Sequence, residues 1–184
     1  KDVDALAARG YWQAFQSVRA SIERILTGVS AGQAAKQDHD SWYEELFRPS
    51  VTAGILKAGA LAGYRNHPVY LRGSRHTPPR VEAIADGMET LFKRLENEDS
   101  AAVRAVLGHW LLGYIHPYPD GNGRMARFLM NAMFASGGYP WTVIDVEHRA
   151  AYMSALESAS VGGDIVPFAK LMEDRMQWST SLSQ

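Results

Sequence analysis

Leu6, Tyr11, Phe15, Val18, Ile22 and the Ile25-Leu26 pair recur every three to five residues, a spacing that predicts one long helix over 3–27, stopped by Gly28. A polar stretch, SAGQAAKQDHD, comes next, with Ser41 as an N-cap candidate for a short helix over WYEELF that Pro49 ends. VTAGILKAGALAGYR then reads as a short apolar helix of small residues suited to close packing. In HPVYLRGSRHTPP the helical period gives way to alternation, Val69 and Leu71 against Tyr70 and Arg72, with a turn signal at Gly73-Ser74. This predicts a small β-hairpin over 69–77. Standing alone it is marginal in water and must lie against helices, and the proline pair 78 and 79 launches the next helix over 80–97.

Two stripes occupy the middle of the chain. Over 100–115, Val103, Val106, Leu107, Trp110, Leu111 and Tyr114 form one face, opened by Ser100 as N-cap. Past residue 121, Met125, Phe128, Leu129, Ala132 and Met133 form another, ended by Gly137-Gly138 and Pro140. Two more helices are expected at about 147–160 and 164–179. With no internal repeat and no low-complexity linker, the pattern describes an all-α bundle with one hairpin. Composition changes little in this picture. The 184 residues suit one compact domain; they are 46% hydrophobic and 21% charged with a net charge of −1, which argues against a partner held by bulk charge such as nucleic acid. The best apolar run, AVLGHWLLGYI, is too short for a membrane span and contains His109, and no signal-peptide pattern opens the chain. The absence of cysteine removes disulfides, thiolate metal sites and cysteine nucleophiles. The chain opens on Lys1 rather than methionine, as a piece of a longer protein would.

The chemistry concentrates in YIHPYPDGNGRMARFLMN, residues 114–131. Pro117 and Pro119 forbid continuing the first central helix and hold His116 at its end. Gly121, Asn122 and Gly123 open the second, where unpaired backbone N–H groups and the helix dipole favour an anion and glycine lets it approach. Asn122 offers a side-chain donor. Arg124, Arg127 and Asn131 share one helical face, and two arginines a turn apart suit several phosphate groups. Asp120 stands where a carboxylate and substrate phosphates can share a hard divalent cation. Base, metal ligand, phosphate cradle and cationic clamp make a phosphoryl or nucleotidyl transfer set. An EF-hand starting at Asp120 fails because Arg124 would occupy a ligand position, and a Walker A loop fails for want of its Gly-Lys-Ser/Thr ending. Outside this stretch, His76 reads as a solvated turn residue, His109 as a packed helix residue, the five tryptophans as core, and Met125, Met130 and Met133 as core.

HPYPDGNGRMAR resembles the Fic-family signature His-Pro-Phe-x-Asp/Glu-Gly-Asn-Gly-Arg-x-x-Arg over twelve positions, departing only at Tyr118, where Phe is usual. Similarity extends to AGYRNHPV, to HPVYLRGSRHTPP as the family's flap hairpin, and to GGYPWTVIDVEHRAAYMSALESASVGGDIVPF as the segment closing the nucleotide pocket. It covers most of residues 52–170, which divides the chain into an N-terminal helical extension, 1–50, packed on a Fic domain, 51–184. The resemblance implies a Fic-type helical bundle with one β-hairpin flap, and transfer of AMP from ATP to a Ser, Thr or Tyr hydroxyl of a target protein with release of pyrophosphate. It implies His116 as the base, Asp120 as the Mg²⁺ ligand, Gly121, Asn122, Gly123, Arg124 and Arg127 on the phosphates, and Tyr152 near the adenine. The flap, Val69, Tyr70, Leu71, Arg72, Gly73, Ser74, Arg75 and His76, would dock the target by strand addition. Alternatives are transfer of UMP or phosphate, which Gly123 disfavours because kinase-like variants carry lysine there, and a catalytically silent nucleotide-binding or interaction module. The family's inhibitory motif, Ser/Thr-x-x-x-Glu-Gly/Asn, is not found: Glu96-Asn97 has Phe92 at the Ser/Thr position, and Ser41 with Glu45 is followed by Leu46. Restraint then falls to a separate antitoxin-like partner, to sequence outside this chain or to a diverged element, and the exposed hairpin permits a homodimer. Ser160 stands where some relatives carry an asparagine near the nucleotide. The expected setting is a cytoplasm, the cell's own or that of a host into which the protein is delivered as an effector.

Overall fold

The computed structural model describes residues 2–183, and among them the regular structure is helical throughout, with no strand. Helix α1 spans Val3–Leu26, its first turn capped by the Asp2 carboxylate, which accepts from the amides of Asp4 and Ala5. Helix α2 spans Ala31–Thr52 and returns antiparallel along α1. The two approach closely at Gly10, where a Cβ would stand 2.0 Å from the Leu46 carbonyl oxygen. A polar seam sets their register: the Trp42 indole donates to Ser21 Oγ (3.0 Å), Ser21 donates to Asp38 (2.7 Å), and Asp38 pairs with Arg24 (2.6 Å). Helices α3 (Ile84–Asn97), α4 (Ala101–Ile115) and α5 (Asn122–Ser136) come next in the chain, and α6 (Arg149–Gly162) and α7 (Val166–Leu182) pack on each other and on α4.

Helix α5 is the centre. Its whole apolar stripe is enclosed, Met125, Phe128, Leu129, Ala132 and Met133 each being no more than 1% exposed. It packs against α1, α2 and α4. Met130 joins it in the interior, as the helical spacing of the methionines predicts.

Several expectations are corrected. The polar stretch over 30–40 is helical: α2 runs unbroken, Ser30 rather than Ser41 stands at its N-cap position, and Pro49 lies inside its last turns. The buried face of its first turns is made of small residues, Ala31, Ala34 and Ala35, with Gly32 so near α3 that a Cβ would stand 2.5 Å from the Glu96 nitrogen. Small residues fill such a crossing without a conspicuous hydrophobic signal. The helix also runs across residues 50 and 51, so no linker separates the N-terminal extension from the remainder of the chain. The expected helix over 51–65 is reduced to one 3₁₀ turn, Ala58–Leu61, because Gly54 and Gly63 adopt left-handed backbone (φ 74° and 80°).

The β-hairpin does not form either. Residues 69–76 make one turn, closed by the Ser74 amide on the Leu71 carbonyl (3.1 Å) with Gly73 at φ 78°, but no ladder joins its arms. The donors go elsewhere: the Arg75 amide bonds Glu157, the His76 amide bonds Ser74 Oγ, and Pro68, Pro78 and Pro79 have none to give. On α4 the buried face is Ala105, Gly108, His109, Leu112 and Ile115 rather than the stripe of larger residues, and Val103 is 39% exposed. Gly108 explains the rotation, since a Cβ there would already touch Leu129 and Leu95 at 3.4 Å, so the close crossing takes the small face. Of the tryptophans only Trp42 is core, while Trp12 and Trp178 are exposed.

Gly10→Ala should lower stability by about 1–3 kcal/mol or more through overpacking at the α1–α2 crossing, read as a fall in the urea midpoint at unchanged m-value.

Candidate active site

His116 ends α4 in the left-handed conformation, φ 52° and ψ 58°, the sole non-glycine residue at positive φ among those described. An L residue there is strained by about 1–2 kcal/mol. The strain is held by Arg65, a residue that sequence reasoning did not single out. Its guanidinium is 2% exposed and donates to the carbonyls of His116 (2.7 Å), His67 (3.0 Å), Pro79 (2.6 Å) and Ile115 (3.3 Å), while its own amide bonds the Pro117 carbonyl (2.7 Å). Positive charge at the C-terminus of α4 complements its dipole and satisfies carbonyls that the helix leaves open. The flap and the turn at His116 are thereby tied to one side chain.

The turn from His116 to α5 is fixed from within. The Asn122 carboxamide is 3% exposed and spans the loop, accepting from the Tyr118 amide (2.9 Å) and donating to the Tyr118 carbonyl (2.8 Å). Its side chain is therefore tied into the turn through Oδ1 and one N–H, and its backbone N–H lies in the first turn of α5. Tyr118 is 1% exposed and stacks on Tyr43, so the aromatic packing expected at this position is kept. Gly121 has φ 81°, and a Cβ there would stand 3.0 Å from the Phe47 ring.

The cations gather over the start of α5. The Arg124 guanidinium lies 5.1 Å from the Phe47 ring centre and 3.6 Å from the Asp120 carboxylate, which is exposed. Arg127 folds back so that its Nη1 would stand 3.2 Å from a Cβ on Gly123; burial raises the Tyr152 pKa while the Arg127 charge acts against that rise. Asn131 does not join this face: it is buried and staples Thr142, donating to its carbonyl (3.1 Å) and accepting from its amide (2.6 Å). The Tyr152 hydroxyl faces inward, 2.5 Å from His109 Nε2. Ser160 Oγ accepts from the Trp110 indole (3.1 Å).

Burial lowers the His116 pKa below its ordinary value, helped by Arg65 and His76, while a hydrogen bond to the Gly113 carbonyl and the Asp120 charge act in the opposite direction. The imidazole is neutral at pH 7 and able to accept a proton. His76, read from sequence as solvated, is instead buried, its ring nitrogen donating to the Tyr114 carbonyl (2.8 Å). The flap turn is latched to α6 by the Glu157 carboxylate, which accepts from Ser74 Oγ and from the Arg75 amide (2.7 Å) and is held below the usual carboxylate range by these bonds. Tyr70 stands out at 82% exposure. Among the described residues no three acidic or histidine side chains cluster as a ready metal cage. Asp120 supplies one exposed hard oxygen site, which fits a cation held largely by substrate phosphates.

A strained histidine at one helix end, an amide-bearing helix start and two arginines on the first turns of α5 are brought together at a helix–turn–helix. The chain belongs to the Fic/DOC family, whose profile matches residues 33–134. It is 35% identical over 129 residues to the protein adenylyltransferase Fic of Drosophila ananassae and to that of Drosophila melanogaster, a match covering 64% of this chain and 25% and 26% of those proteins. The chain thus spans about a quarter of the length of the curated relatives it matches. Its fold is that of Fic-1 from C. elegans (TM-score 0.79, 22% identity, 97% of this chain and 51% of that one) and of a Fic domain containing signaling protein from Bacteroides thetaiotaomicron (TM-score 0.68, 21% identity, 93% and 71%).

Two measurements check this geometry. Arg65→Met should destabilise the protein by about 2–4 kcal/mol, because buried carbonyls lose a charged donor, and should speed amide exchange at the flap and at residues 116–118. In an NMR titration the His116 ring should show a midpoint below 6.5, and Asp120→Asn, which removes a charge favouring the protonated ring, should lower it further.

Proposed function

We propose that this chain transfers AMP from ATP to a Ser, Thr or Tyr hydroxyl of a protein and releases pyrophosphate. The observation that carries the reading is the neutral His116, fixed at the end of α4 beside the N-terminus of α5, whose first turns carry Arg124 and Arg127. The name adenylyltransferase carried by the fly relatives supports it.

His116 takes the proton of the target hydroxyl as that oxygen attacks the α-phosphorus, and the bond between the α-phosphorus and the bridging oxygen to the β-phosphate breaks. Because the ring is neutral it accepts this proton without first losing one. The negative charge that develops on the leaving pyrophosphate falls near the first-turn amides of α5 and the two guanidinium groups, which are already in place and need no reorganisation. Asp120 would hold Mg²⁺ against the phosphates, and the ion would neutralise developing charge on their oxygens. The expected target surface is the flap: Val69 and Tyr70 make no backbone hydrogen bond, so an extended target segment finds unpaired groups there, beside the exposed Tyr70 ring. The flap carries this role as an extended segment pinned by Arg65 and Glu157 rather than as a preformed hairpin. Gly123 speaks against phosphate transfer of the kinase-like kind, in which lysine stands there, and Arg127 Nη1 would stand 3.2 Å from a Cβ at 123, so a side chain there would shift that guanidinium slightly. A separate inhibitory partner and a homodimer belong to the same proposal. No helix among the described residues is long and apolar enough to cross a membrane.

Incubation of the protein with lysate, Mg²⁺ and ATP labelled at the α-phosphate should label protein, and His116→Ala should abolish the signal, a loss of about 100-fold or more. Transfer from a γ-labelled ATP with none from the α position would replace this reading with phosphorylation.

A further inference from the structure

Arg124 lies in the first turn of α5, where the helix dipole is positive and acts against a guanidinium. Contacts from outside the helix offset that repulsion. One is the Asp120 carboxylate, 3.6 Å away, and the other is the ring of Phe47 on α2, whose centre lies 5.1 Å from the guanidinium carbon. The carboxylate is a weak tether, because its side chain is 77% exposed and solvent screens the pair. Under the proposed function it also faces a cation while nucleotide is bound. The ring is a different kind of support. Phe47 is 7% exposed, and its edge lies against Gly121, where a Cβ would stand 3.0 Å from Cε2 and Cζ. Tyr43, one turn earlier on α2, meets it edge-on with 5.1 Å between centres, and Tyr43 in turn stacks on Tyr118 at 4.2 Å.

An aromatic face attracts a guanidinium through its quadrupole. It offers no lone pair, so the N–H donors of the arginine stay free, whereas a carboxylate bound fork to fork would occupy two of them. The stack of Tyr118, Tyr43 and Phe47 starts in the turn that joins His116 to α5, so the ring that meets Arg124 is in register with that turn. We infer that Phe47 is a positioning residue: its ring holds the Arg124 guanidinium beside the start of α5 with its donors open to the outer phosphates of a nucleotide. This rests on the phosphate-binding reading of the site. It also assigns part of the site to α2, a helix outside the stretch 114–131 in which the chemistry of the sequence concentrates.

The test measures the arginine and nucleotide binding separately. In the unmodified protein the Arg124 Nε–Hε resonance should lie upfield of solvent-exposed arginines, moved by the ring current of Phe47, and should return to their position in Phe47→Leu, which keeps an apolar side chain and removes the ring. Replacing Phe47 by a difluorinated phenylalanine, which keeps the shape and weakens the negative face, tests the attraction itself without leaving a cavity. Calorimetry with α,β-methylene ATP should show binding weaker by about tenfold in Phe47→Leu and by about threefold with the fluorinated ring, while AMP changes by less than about twofold in both. With Arg124→Ala already in place, Phe47→Leu should weaken the triphosphate no further, because the ring acts through the arginine. An Arg124 resonance at the solvent-exposed position in the unmodified protein overturns the inference. So does unchanged triphosphate affinity with the fluorinated ring, a further loss beyond that of Arg124→Ala, or equal loss of AMP and triphosphate. Failure of the unmodified protein to bind either nucleotide sinks the proposed function and the nucleotide part of the inference with it, while the arginine resonance still decides whether Phe47 holds Arg124.

Discussion

The site depends on a buried guanidinium that pairs with carbonyl oxygens and no carboxylate. Arg65 sits at the C-terminal end of α4, where the helix presents open carbonyls and the negative end of its dipole, and it bonds the carbonyls of Ile115 and His116 at once. Burying an unpaired charge is ordinarily prohibitive. Here the compensating charge is distributed over oriented peptide groups, and the benefit is geometric: the same side chain reaches Pro79 and His67, so the flap and the turn that carries His116 are tied together. It also contributes to the chemistry, because its positive charge lies near His116 and helps keep that ring neutral.

From this anchor the rest of the site is built by short steps. A left-handed residue at the helix end redirects the chain, and Asn122 clamps the redirected turn through both backbone groups of Tyr118. The turn delivers α5 with its N-terminus facing outward while Met125, Phe128 and Leu129 are locked in the core. Function and stability therefore use different faces of one helix. Exposed Gly123 and the half-buried Arg124 and Arg127 occupy one side, and tightly packed core residues occupy the other, so these groups inherit the rigidity of the core.

How much of this could be read from the chain alone depends on where each signal resides. The residues 116–127 were legible because proline, glycine and arginine have strong local consequences that spacing exposes. The stripe of α5 was legible because it is large, apolar and periodic. The face of α4 was misread because the large residues Val103, Val106 and Trp110 draw attention, whereas the close crossing requires the small ones, Ala105 and Gly108. The same blindness to small residues hid the first half of α2, where Ala31, Gly32, Ala34 and Ala35 pack against neighbouring helices. Arg65 was invisible for a different reason: a lone arginine in AGYRNHPV carries no periodic signal, and its partners at 67, 79, 115 and 116 meet only in the folded chain. The hairpin failed because alternation states which side chains can share a face, not which donors will find acceptors in the partner arm. With Pro68, Pro78 and Pro79 flanking the turn, and Glu157 and Ser74 capturing the amides of Arg75 and His76, the ladder had too few groups left to form.

The unformed ladder bears on how a target would be held. A closed hairpin satisfies its inner edge and offers only its outer one, whereas the flap here leaves the groups of Val69 and Tyr70 unpaired and keeps its turn latched to α6 by Glu157. Since Arg65 anchors the N-terminal arm at His67 and the C-terminal arm at Pro79, both ends of the segment are fixed. Such a segment presents backbone hydrogen-bonding groups at a set distance from His116, with Tyr70 as its exposed side chain. The order of the flap is thus supplied by side chains from α6 and the Arg65 loop rather than by strand pairing, and under the proposed function a target segment would take the position that a second strand leaves open.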